Sequence, residues 1–237
     1  MLKNNINKNN VSCDKCRNEG CLIKQCNPEW IKKLNDSKSQ SIYKQSQYIF
    51  SEGNLVHGIF FIQTGKVKVV SSNYGGKQQV VRLAAEGHIL GHRGIGGENY
   101  PISAIALTDV HICFIDNQLL FDAFLANPMF TYSLMMFYST ELRKSEQRTK
   151  YFSLMTVEEK IIYALLYIED TFGLNLSENV FNLSLTRQDI AEIAGTNAEQ
   201  VSRTISFFKA KNLIDTAGRK IILLDYDKLK SFIAHYN

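Results

Sequence analysis

The stretch SLTRQDIAEIAGTNAEQVSRTISFFKAKNLI, residues 184–214, separates its apolar and polar residues by face. Ile190, Ile193 and Ala194 before Gly195, and Val201, Ile205 and Phe208 after it, recur at helical spacing. This predicts two short amphipathic helices packed through those residues. Glu199, Ser202, Arg203 and Ser206 then share the opposite face of the second helix. Arginine reads guanine O6/N7 bidentately, glutamate accepts from cytosine N4, and serine reaches bases or phosphate, so this face suits a helix lying in a major groove. Thr186, Arg187 and Gln188 open the first helix, where unpaired backbone N–H groups favour phosphate. Thr196 and Asn197 at the turn complete the predicted DNA-binding set. LIDTAGRKIILLD follows, a β-like pair turning at Ala217–Gly218. Helix, turn, helix and β-wing are the parts of a winged helix.

Upstream, Thr156 and Glu159 offer a capping-box start for a helix that runs through IIYALLYIEDTF to a stop at Gly173. From Pro128 to about Phe152 neither glycine nor another proline interrupts a helical pattern. Phe130, Leu134 and Phe137 fall on one face of it, and Met135, Tyr138 and Leu142 on the neighbouring one. Between Tyr48 and Ile115 the texture is β-like: YIF, GIFFIQ, KVKVV, QQVVRL and VHICFI, with corners at glycines such as Gly53, Gly65 and Gly87. Many short strands with glycine corners predict an antiparallel sandwich or jelly roll. Residues 1–45 are polar, with nine Lys/Arg against four Asp/Glu, and hold Cys13, Cys16, Cys21 and Cys26. The expected division is therefore a Cys-rich segment (1–45), a β-roll (46–126), a long helix (127–155) and a winged helix (156–237), an α+β protein.

With 27 Lys+Arg against 23 Asp+Glu, the formal charge is only +4. That excludes a general polycation, so any nucleic-acid contact is local. MLKNNINKNNVS has no apolar core of the kind a secretory signal needs, and IIYALLYI at 161–168 is too short for a membrane span. A cytoplasmic protein with no membrane partner is expected. No P-loop, strand–helix G-x-G-x-x-G or local nucleophile signature is present, so an enzyme is not expected.

The pattern T-R-Q-D-I-A-x-x-x-G-T-x-x-E-x-V-S-R at Thr186–Arg203 closely resembles the helix-turn-helix of the CRP/FNR family of bacterial transcription regulators. The resemblance extends over residues 45–237. It implies a cyclic-nucleotide-binding-type β-roll and a long helix that pairs with its mate in a homodimer. It also implies one recognition helix per half of a palindromic site in double-stranded DNA. Where cyclic-AMP receptors of the family carry a Gly-Glu pair and, about ten residues on, an Arg-Ser pair, this chain has Gly91-His92 and Ile102-Ser103. A buried phosphate would lack its counter-charge, which argues against cyclic nucleotide as effector. The chain instead resembles the FNR, oxygen-sensing branch in GHILGHRGIGGENYPISA (87–104), in Ala198–Arg203 and in its cysteines. That branch implies a [4Fe–4S] cluster on N-terminal cysteines plus one β-roll cysteine, whose position matches Cys113. It also implies a TTGAT-type half-site read by Glu199, Ser202 and Arg203, and a contact with RNA polymerase through the Ser71–Gln79 loop.

The N-terminal spacing is C-x2-C-x4-C-x4-C, where the branch has C-x2-C-x5-C at its core, leaving one cysteine over. Four of Cys13, Cys16, Cys21, Cys26 and Cys113 form the predicted site. Spacing alone does not choose between an iron–sulfur cluster, a zinc ion on the four N-terminal thiols, and thiol switches. Haem at His88 or His92, which share an i, i+4 interval in turn texture, is a further alternative, and an iron–sulfur electron carrier is the alternative from another class. The expected dimer contacts are Phe130, Leu134, Phe137, Leu142 and Arg148. Arg148 would meet its symmetry mate unless Glu141 or Glu146 neutralises it. Cluster binding would tip a marginal pairing toward dimer, and oxygen would reverse it.

Overall fold

Asn27 caps and Pro28 opens the first helix, because a side-chain oxygen before a ring-locked φ satisfies an N–H that the helix itself cannot. Asn27 Oδ1 accepts from the Trp30 N–H at 2.9 Å. The structure, a computed structural model, describes residues 11–72, 75–175, 179–218 and 220–236. Helix α1 (Pro28–Ser37) leads into strands β1 (Ser39–Tyr43), β2 (Tyr48–Phe50), β3 (Gly58–Thr64), β4 (Val67–Ser72), β5 (Gln78–Ala84), β6 (Ile89–Leu90), β7 (Ser103–Ala106) and β8 (Val110–Asp116). Helices α2 (Asn117–Ala126), α3 (Pro128–Leu154) and α4 (Val157–Phe172) follow. Strands β9 (Leu174–Asn175) and β10 (Val180–Phe181) precede α5 (Arg187–Ala194), α6 (Ala198–Ala210), β11 (Ile214–Ala217), β12 (Lys220–Leu223) and α7 (Tyr226–Ser231).

The chain divides into two units, Met1–Ser72 with Arg82–Leu142, and Asn73–Val81 with Arg143–Asn237. In the β-roll, two antiparallel sheets run β1-β8-β3-β6 and β2-β7-β4-β5. Side chains alternate across a strand, so β3 and β8 serve two cores at once. Phe60 and Phe114, ring centroids 4.9 Å apart, join Phe50 and Tyr100 on one face. Ile59, Phe61, Cys113 and Ile115 point to the other, where they pack with Ile23, Leu34, Leu120, Ala123, Phe130 and Leu134. The polar N-terminal segment thus has no core of its own and completes one against the roll. Gly58 makes the β3–β8 approach possible, since a Cβ there would lie 2.0 Å from the Ile115 carbonyl oxygen.

In the second unit α4 packs on α5, and α5 on α6, through Ile161, Leu165, Ile190, Ile193, Val201, Ile205 and Phe208, all buried. A sheet ordered β11-β12-β10-β9 forms the wing. The capping box at Thr156 and Glu159 is present, and Gly195 ends α5 with φ 65°, a left-handed turn that suits glycine.

All five expected β runs are strands. The additions are α1, α2, α7 and the short or polar strands β1, β6, β7, β9 and β10, whose sequences carry too little alternation to read. Among the described residues, no helix is long and apolar enough to cross a membrane.

Candidate nucleic-acid interface and cysteine pocket

Both helices of the turn are fixed by local chemistry. Thr186 Oγ1 accepts from the Asp189 N–H at 3.1 Å, and Asp189 Oδ2 accepts from the Thr186 N–H at 3.0 Å. The Thr186 hydroxyl is therefore occupied in a capping box and is less available to phosphate than its place in the sequence implies. Arg187 is half-buried, which lowers the pKa of its guanidinium, and Gln188 Nε2 donates to Glu192 Oε1 at 3.2 Å. Asn197 caps α6 by accepting from the Gln200 N–H at 2.9 Å, and Thr196 bonds the Gln200 side chain. Glu199, Ser202, Arg203 and Ser206 are exposed together on α6, while Val201, Ile205 and Phe208 are buried. Glu199 and Arg203 pair with each other across one turn, with side chains 71% and 77% exposed. At that exposure the pair is weak and free to exchange for bases.

In the first unit, four of the five cysteines face one space. Cys13, Cys16, Cys21 and Cys113 line a small cavity that Phe61 and Ile62 close from the roll side. Cys26 is not among its lining residues; it is 6% exposed in the core with Ile23 and Leu34. Cys113 reaches the cavity because β1 and β8 are in register there, Gln40 opposite Cys113. The segment is held by side-chain ties to distant backbone. Gln40 bonds both sides of Val11, accepting its N–H at 3.0 Å and donating to its carbonyl at 2.8 Å. Asn35 accepts from the Cys13 N–H at 2.9 Å, and Asn18 donates to the Ile62 carbonyl at 3.0 Å. Burial pushes the Cys21 thiol up to about 11 and the Cys26 thiol to about 12. Burial raises Cys113 as well, against the opposing pull of Lys38 and Gln40.

Two family models match: the cyclic nucleotide-binding domain over residues 40–127 and the Crp-like helix-turn-helix domain over 159–232. The chain is 27% identical over 216 residues to the transcriptional activator protein FnrA of Stutzerimonas stutzeri, covering 90% of this chain and 88% of that one. This chain is a CRP/FNR-family transcription regulator. The regulator is also 27% identical over 188 residues to the anaerobic regulatory protein of Bacillus subtilis, covering 77% and 79% of the two chains. Its fold matches that of FixK2 from Bradyrhizobium japonicum, with a TM-score of 0.73, 20% identity, and coverage of 82% of this chain and 96% of that one.

A CRP/FNR regulator binds DNA and dimerises, and the residues expected at its pairing face divide between the buried and exposed sides of the long helix. Phe130 and Leu134 are 1% and 8% exposed and turn into the roll-side core. Phe137 is half-buried with its ring edge-on to His92, centroids 5.0 Å apart. Leu142 is exposed as expected, together with Met129, Tyr132, Met135 and Met136. Arg148 also turns inward: its Nη2 donates to the Val80 and Ile193 carbonyls, at 2.7 Å each. Its guanidinium lies 5.0 Å from the Phe152 ring centroid. Glu141 neutralises Arg82 instead, 2.6 Å away and largely buried.

A closely packed spot inside the regulator's roll is lined by Arg82, His92 and Ile102 among others. His92 is 3% exposed, and burial, Arg82 and Arg93 hold its imidazole down to about 3, so it is neutral. Sequence reading missed Arg82, Lys38, Gln40 and Asn35. A lone arginine inside the apolar run QQVVRL is a signal for the first; the other three carry none.

Proposed function

We propose that this regulator responds to oxygen or redox state through a [4Fe–4S] cluster held by Cys13, Cys16, Cys21 and Cys113, and that its homodimer binds a palindromic FNR-like site. The observation that carries the reading is the cavity onto which these four thiols face while Cys26 turns into the core. The relatives named as FnrA and as an anaerobic regulatory protein support it. The zinc alternative needs all four N-terminal thiols, and Cys26 lies in the core, away from the space that Cys13, Cys16 and Cys21 line.

When bound, the cluster supplies an oxidant-labile tie between the N-terminal segment and β8. The rest of the switch belongs to the chain. Cys113 and Ile115 share a core with Phe130 and Leu134, so ordering the segment over β8 steadies the inner face of α3. The outer face, Tyr132, Met135, Met136 and Leu142, is then presented to a second copy. Cyclic nucleotide does not fit the roll, because Arg82 is already committed to Glu141 and to the Ile89 carbonyl, at 2.6 and 2.7 Å. Glu199, Ser202 and Arg203 read a TTGAT-type half-site, with Arg187, Gln188, Thr196 and Asn197 toward phosphate. The protein acts in the cytoplasm. RNA polymerase meets the Ser71–Gln79 loop, of which residues 73–74 lie outside the described residues.

Anaerobic purification followed by iron, sulfide and zinc analysis tests this, with the visible spectrum and oligomer mass recorded before and after admitting air. About four iron and four sulfide per chain, with bleaching and loss of dimer in air, are expected. One air-stable zinc would overturn the reading.

A further inference from the structure

The cysteine cavity is electrostatically one-sided. Lys24 and Lys38 both line it, and none of its described lining residues is acidic; Asp14, Glu19, Glu29 and Asp36, the four acids of the same segment, are exposed. Lys38, the residue that ends α1, places Nζ 3.2 Å from Cys13 Sγ while donating to the Val11 carbonyl at 2.9 Å. Gln40, two residues on and on the same side of the segment, donates from Nε2 to Cys113 Sγ at 3.4 Å. Lys24 Nζ donates to the Cys16 carbonyl at 3.0 Å. Thus Cys13 of the N-terminal segment and Cys113 of β8 each meet a donor delivered by the α1–β1 connection.

Such donors have little purpose toward neutral thiols, which accept weakly. They suit thiolates, and hydrogen bonds and net charge around sulfur are the protein's means of setting an iron–sulfur potential. A [4Fe–4S]²⁺ core with four thiolates carries two net negative charges, and two lysines face it. We infer that Lys38, assisted by Gln40, is a positioning residue that donates to the Cys13 and Cys113 thiolates and holds the cluster's reduction potential up, slowing its oxidative loss in air. The inference rests on the cluster reading above. Its physical sense is simple: a cation beside the cluster stabilises the more negative state of either couple, so it raises the 2+/1+ potential that dithionite reads and also opposes loss of an electron from the 2+ core to an oxidant.

The test compares wild-type protein with Lys38→Met, Lys38→Gln and Gln40→Leu, all loaded with iron and sulfide without oxygen. Mediated titration with dithionite adds one electron to the cluster and breaks no bond. For Lys38→Met the one-electron equilibrium constant should fall about tenfold, which is about 59 mV for a one-electron couple. Bleaching in air should speed up in the same variant, and Gln40→Leu should shift both readouts in the same direction by less. If Lys38→Met fails to load, Lys38→Gln offers a neutral donor in place of the ammonium, so it carries a shift in the same direction. Variants that load fully and titrate with the wild-type potential would overturn the inference and leave the cluster reading standing. A wild-type protein that takes up no iron would remove both.

Discussion

The reading head and the cysteine pocket are held together by opposite means. In the head, each helix start is closed by a residue three positions away: Thr186 with Asp189, Asn197 with Gln200. Its core residues come from consecutive helices, α4, α5 and α6. In the pocket, the ties span the chain: Val11 to Gln40, Asn18 to Ile62, and Gln40 to Cys113. Short-range satisfaction makes an element that forms without help. Long-range ties between few polar groups make one whose order is conditional, because each tie must offset the entropy of ordering the segment that carries it. A regulator needs both, a reader that is always ready and a sensor that is only sometimes assembled.

The largest effect that could break this contrast is at Cys113. Cys113→Ala should abolish stable iron binding and oxygen-dependent DNA binding while leaving the melting of the helix-turn-helix unit unchanged, whereas Cys26→Ala should keep its iron. Iron analysis and calorimetry on both variants check it, and a Cys26→Ala protein without iron would redraw the ligand set. Acid stability comes next. The unfolded chain takes up a proton on His92 near its ordinary pKa of 6.5, but the folded chain refuses it down to about 3. The unfolded state therefore binds more protons in that window, and stability should drain as pH falls from about 6.5 toward 3. Replacing His92 with Phe should flatten that slope, which urea midpoints at several pH values would show.

Arg203→Ala should weaken specific operator binding by about 1–3 kcal/mol and relax discrimination at one base pair, with iron content unaffected. A gel-shift series against single-base operator variants measures this. Smallest is Thr186→Ala, which removes the cap of α5 and should lower the stability of the head by about 1 kcal/mol without altering the cysteine pocket. If it changed iron retention, the two regions would not be independent.

The legible parts of this protein are the locally determined ones. The helical spacing of Ile190, Ile193, Val201, Ile205 and Phe208, the glycine at 195 and the capping box at Thr156 all appear in the structure as read. On α3, spacing gives the stripes of the helix but not which neighbour each one meets. Phe130 and Leu134 look like a dimer seam until α1, α2 and β8 are seen to cover them. Arg148 is similar: its carbonyl partners lie at positions 80 and 193, distances in sequence that no pattern spans.

The sequence by itself determined the reading head, the family and the presence of four closely spaced cysteines, because those depend on neighbours within a few residues. Only the tertiary structure decided that Cys26 belongs to the core and Cys113 to the cavity, and that Lys38 and Gln40 attend the sulfurs. The register of β1 against β8 places Gln40 opposite Cys113, and register follows from which faces the whole unit buries.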